Sequence, residues 1–111
     1  MKLLILFIFV LSMFAQTPTH QVTLTWTDAI NPVGTTYNIY RVSSTCASPT
    51  FGTAMVTGVV LKTYVDATVV PGNYCYAVTA FLNNSESGFS PTALAPVPSA
   101  FPPGKILIIV Q

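Results

Sequence analysis

General acid–base or nucleophilic chemistry in this chain would have to come from a short set of residues: His20, Asp28, Asp66, Glu86 and the serines at 43, 44 and 48. A working constellation needs a nucleophile beside a base, and a third group to orient that base. His20 stands alone in a polar stretch. Asp28, Asp66 and Glu86 are separated and fall near turns, and Asp66, following a strand, is expected to cap one. Ser43, Ser44 and Ser48 lack a Gly-x-Ser-x-Gly setting and a paired base. The expectation is therefore that the chain is not an enzyme and carries no cofactor. Cys46, Cys75 and His20 lack the tight spacing of a metal site. In an exported chain two cysteines read instead as a disulfide, Cys46–Cys75. Its loop of roughly 30 residues would stabilise the fold by about 3–4 kcal/mol.

Those residues need a scaffold, and composition says which kind. Of 111 residues, 51% are hydrophobic and only 6% are charged. This excludes a disordered chain, which would be polar and highly charged. It also excludes a nucleic-acid binder, which needs a basic face. The length holds one small domain. Residues 1–15 read as a secretory signal peptide: Lys2, then an apolar run from Leu3 to Phe14 broken by Ser12, with Ala15 before the cut. Met13 departs from the small residue usual there. The run is shorter than a membrane span, so no membrane attachment is expected after cleavage. The destination is secreted, cell-surface or periplasmic. Without Lys2 the remaining charges balance, three positive against three negative, a condition that tolerates self-association.

Beyond the leader the pattern is β. Val22, Leu24 and Trp26 alternate with threonines, and Tyr37, Ile39 and Arg41 alternate with Asn38, Tyr40 and Val42. A weak strand is predicted over 53–60, a clear one over 62–65, the strongest over 74–82, and a last over 90–97 with Pro91 and Pro96 near its ends. Turns are marked by Asn31-Pro32, Gly34 and Pro71-Gly72, and residues 83–88 read as a polar hairpin loop. Short strands with regular turns predict an all-β sandwich.

Five ordered motifs resemble a fibronectin type III domain, and most of all the bacterial secreted variety. They are Val22-Thr-Leu-Thr-Trp26, Tyr37-Asn-Ile-Tyr-Arg41, Tyr64-Val-Asp66, Pro71-Gly-Asn-Tyr-Cys-Tyr-Ala-Val-Thr-Ala80 and Glu86-Ser-Gly-Phe-Ser-Pro91. The resemblance covers about residues 20–98 and implies an immunoglobulin-like antiparallel sandwich. It places Trp26, Tyr37, Ile39, Tyr74, Tyr76 and Val78 in the core, with Tyr74 as the corner tyrosine bonded back to the preceding turn. Cys75, Ala77 and Thr79 then point outward, so the disulfide would lie across the outer face of a sheet. Tyr40 is expected to face outward as well, where an exposed ring could meet a sugar or protein.

Two departures from the family bear on function. Only six residues, 16–21, separate the expected cut from the first strand, so a domain spanning 16–98 would lack the family's strand A. After a Pro-rich linker, 99–105, comes a spare aliphatic strand: Ile106, Leu107, Ile108, Ile109 and Val110, followed by Gln111. Such a segment can pack on its own domain, begin a further domain, or enter the vacant strand position of another copy. The expected function is a secreted, non-catalytic structural or adhesive module; its more specific form self-assembles head-to-tail by strand donation, giving rings or filaments. The alternative is an accessory module binding a carbohydrate or another extracellular protein through its loops. Asn83, Asn84, Ser85 and Glu86 are the candidate loop contacts; Asn83-Asn84-Ser85 also fits a glycosylation acceptor.

Overall fold

A computed structural model describes residues 19–100. The expected leader, most of the linker and the aliphatic segment lie outside the described residues. Among the described residues seven strands form: β1 (His20–Thr25), β2 (Thr36–Val42), β3 (Val56–Val59), β4 (Thr63–Val69), β5 (Gly72–Leu82), β6 (Ser85–Glu86) and β7 (Ala93–Val97). Among the described residues there is no helix. The strands make two antiparallel sheets, β1–β4 and a five-stranded sheet ordered β3-β2-β5-β6, with β7 also on β5. The fold is an all-β sandwich.

Period-two alternation turns one face of each strand to the interior. Ile39, Val69, Tyr74, Tyr76 and Val97 form the buried centre. Val22, Leu24, Trp26, Tyr64 and Val78 pack against it while staying partly exposed. Tyr37 is buried beside them, its ring edge-on to Trp26 with centroids 5.4 Å apart. Tyr74 closes the corner between the sheets: its hydroxyl donates to the Val70 carbonyl at 2.9 Å. Gly72, in this turn, has φ +148°, a conformation that favours glycine.

An ion pair ties the two sheets together, reaching from the partly exposed Arg41 side chain to the buried Asp66. Arg41 Nη1 donates to Asp66 Oδ2 at 2.8 Å, and the Tyr76 hydroxyl donates to the same oxygen at 2.7 Å. Burial, then this bond, pushes the Tyr76 hydroxyl well above the ordinary phenol range. Asp66 therefore does not cap a turn. It lies within β4, which runs on to Val69, and it is buried. Other boundaries also shift. The weak third strand contracts to Val56–Val59, and the last begins at Ala93, beyond Pro91. The expected loop at 83–88 is a two-residue turn, Asn83-Asn84, both at positive φ (52° and 60°), with Leu82 paired to Ser85. Asparagine tolerates that conformation and a tight hairpin demands it. Ser85 and Glu86 are thus strand residues.

Candidate functional site

Among the described residues, β1 pairs on one side only, with β4. Its inward residues Val22, Leu24 and Trp26 stay half-buried, where those of β2 and β5 are mostly buried. A cleft of about 80 Å³ opens beside it, lined by Leu24, Trp26, Tyr76, Val78, Ser90 and Ala93. Core residues from both sheets therefore meet at this edge. The Trp26 indole Nε1 is buried with no hydrogen-bond acceptor among the described residues. A buried donor without a partner is costly, about 1–3 kcal/mol. What the geometry can do is accept a strand: backbone groups along β1 for a ladder and apolar side chains for alternate residues.

The outer face of the five-stranded sheet is closed by contrast. Cys46 and Cys75 are disulfide-bonded, S–S 2.08 Å and Cα–Cα 5.3 Å, anchoring the loop after β2 onto β5. Cys75, Ala77 and Thr79 do point to this face, yet all three are buried. Their small size lets cover sit close. Tyr40, expected to be exposed, is 9% exposed; Phe51 and Phe89 pack edge-on against it, with centroids 6.2 and 4.9 Å away. Glu86, read from sequence as a loop contact, lies on this face. Its Oε2 accepts from Thr79 Oγ1 at 2.5 Å, from the Tyr40 hydroxyl, and from Asn38 Nδ2 at 3.1 Å. These donors, Thr79 first, hold its carboxyl below the ordinary range. Asn83 and Asn84 stay exposed at the turn. A shallow groove of about 330 Å³ remains between Thr36, Asn38, Thr57, Gly58 and Phe81.

The groups that could do chemistry are dispersed. Asp28 sits in the β1–β2 turn, accepting from Asn31 Nδ2 at 2.6 Å, from the Asn31 and Ile30 amides at 3.1 Å, and from the Tyr37 hydroxyl at 2.9 Å. The Asn31 bonds dominate in holding its carboxyl far below the usual range. Asp66 is committed to Arg41 and Tyr76, and Glu86 to the outer face. Ser44 Oγ bonds the neighbouring Thr45 carbonyl at 2.6 Å. Among the described residues no three His, Cys, Asp or Glu gather as a metal site, and no helix is long and apolar enough to cross a membrane.

Protein-family models give no match to this chain, and no curated protein matches it. Sequence reasoning missed the Arg41–Asp66 pair, the covered Tyr40 and the orphan Trp26 Nε1, because each depends on residues far apart in the chain. Only Glu86-Ser-Gly-Phe-Ser-Pro91, a polar run around one aromatic, signalled the outer-face hub locally.

Proposed function

We propose that this chain is an exported, non-catalytic extracellular module of the fibronectin type III kind, assembling by lending residues 106–110 to the free edge of β1 on a neighbouring copy. The observation that carries the reading is that edge: a one-sided strand whose inward residues are half-covered, beside a cleft reaching Tyr76 and Val78. The order of strands, the Tyr74 corner and the outer-face disulfide support the family resemblance. The sequence of residues 1–15 and the disulfide support export. Burying two or three aliphatic side chains of the donated segment contributes about 1.5–3 kcal/mol each.

Direction favours a neighbour over self-insertion. His20 pairs with Val69, and Gly72 with Val97, so β1 begins at the pole where β7 ends. A segment continuing from Val97 into its own vacant position would run parallel to β1. Entering the next copy from the opposite pole it runs antiparallel, the more stable pairing. Trp26 is the only tryptophan in the chain and reports on the cleft. Deleting residues 101–111 is expected to abolish oligomers in size-exclusion chromatography and shift Trp26 emission to the red. An unchanged elution profile sinks the reading, and a shift that persists at any dilution assigns the segment to its own domain.

A second reading rests on the groove at Thr36, Thr57 and Phe81, whose hydroxyls and ring suit a carbohydrate. Glycan binding retained by the tail-deleted protein would favour it.

A further inference from the structure

Four large aliphatic side chains stand in water at one pole of the sandwich. Ile30 is 92% exposed, Val33 103%, Val60 72% and Leu61 68%. They come from two turns, β1–β2 and β3–β4. The turns share a pole because Thr25 pairs with Thr63. The Trp26 amide donates to the Lys62 carbonyl at 3.1 Å, and Lys62 Nζ to the Asp28 carbonyl at 2.7 Å. Val33 and Val60 line one cleft between them.

Folding does not require these side chains to be apolar. The β1–β2 turn is held by Asp28 and Asn31, and by Thr35 Oγ1 donating to the Pro32 carbonyl at 2.8 Å. Polar residues would serve at 30, 33, 60 and 61 at no cost to the turn. An exposed apolar cluster of this kind marks a contact surface.

Strand direction indicates the occupant. A segment pairing antiparallel to β1 must enter at the Trp26 end, past this pole. The residues just before the donated segment are Phe101, Pro102, Pro103 and Gly104, with no charge until Lys105. The stretch from 98 to 105 reaches at most about 26 Å when extended, enough to cross between two stacked domains. Under the proposed donation, the apolar linker of one copy would cross the apolar pole of the next.

We infer that the Ile30, Val33, Val60 and Leu61 pole is the seat for a second copy's linker, with Phe101 and Pro102 as its apolar contacts. This inference rests on the strand-donation reading. The test uses the full mature chain in sedimentation velocity across a concentration series. The double variant Val33→Asp with Leu61→Asp is expected to weaken self-association at least about tenfold. Its circular dichroism should match the parent, because both side chains are exposed. Phe101→Ser is expected to weaken association too, and to add little on the pole-variant background. A pole variant that associates like the parent overturns the inference. If Ile108→Asp then still dissociates the protein, donation stands and only the pole assignment falls. If Ile108→Asp also has no effect, donation falls with it. Vesicle co-sedimentation lost in the pole variant, with self-association intact, would assign the pole to a lipid surface and overturn the inference equally.

Discussion

The strand-edge gap on β5 and the edge of β1 are treated in opposite ways. On β5 the chain leaves a break in the ladder between β6 and β7, and two serines close it. The Ser90 amide donates to the Val78 carbonyl at 2.9 Å while Ser90 Oγ accepts from the Val78 amide at 3.0 Å. Ser87 does the same for Ala80, at 2.8 Å in both directions. Each serine imitates the reciprocal bonding of an antiparallel pair. Among the described residues β1 has no such device, and it carries half-covered apolar residues instead. An unprotected edge invites another strand. The proposed strand donation would fill the edge of β1 that stays unpaired among the described residues.

If that contrast holds, damage to the closed region should cost stability without changing association, and damage to the open edge the reverse. The largest effect is expected from the disulfide. Replacing Cys46 and Cys75 by alanine should lower unfolding stability by about 3–4 kcal/mol, measured by urea titration. The oligomer distribution of the folded fraction should be unchanged. Loss of assembly at equal folded fraction would show that the outer face also takes part, and the contrast would break.

The ladder plugs come next. Ser90→Ala leaves the Val78 amide without its acceptor in a part-buried setting, at a cost of about 1–2 kcal/mol. Ser87→Ala should cost under about 1 kcal/mol, because its bond to Ala80 is exposed and water can replace the hydroxyl. Neither change should alter sedimentation. If Ser90→Ala instead creates a new, larger species, the serines act as guards against edge pairing, which sharpens the contrast.

The alternating residues made the sandwich legible in sequence. Val22, Leu24 and Trp26 announce a half-buried strand, and Tyr74 and Tyr76 announce the core face of β5, because period two is a local property. The outer face was not legible. Cys75, Ala77 and Thr79 read as outward-facing, and they are, but their burial comes from residues elsewhere in sequence: Cys46, Phe51, Glu86 and Phe89. Asp66 misled for the same reason, since its partner Arg41 stands 25 residues away. The expectation of a missing strand A rests on residues 16–21, half of which lie outside the described residues. The aliphatic pole was not foreseen, because Ile30 and Val33 flank the turn signal Asn31-Pro32 and looked like ordinary neighbours of a turn.

The smallest expected effect concerns pH, and it probes the closed face alone. Thr79, Tyr40 and Asn38 donate to Glu86 and hold its folded pKa below the ordinary 4.5. A depressed folded value means that the folded state binds the proton less readily than the unfolded chain. Its stabilisation is therefore complete above the unfolded value and is lost as pH falls through the folded one. Urea midpoints should accordingly begin to drop below about pH 4.5. Glu86→Gln should lower the midpoint at neutral pH and flatten this first acid decline. The decline attributable to Asp28, whose carboxyl is also depressed from 3.8, should persist at lower pH in that variant. The proposed association through β1 would involve neither carboxylate in its ladder, so sedimentation at pH 4.5 should match that at pH 7 while the fold is intact. An assembly that dissociates over this window without unfolding would place a titrating group at the open edge and erase the separation between the two regions.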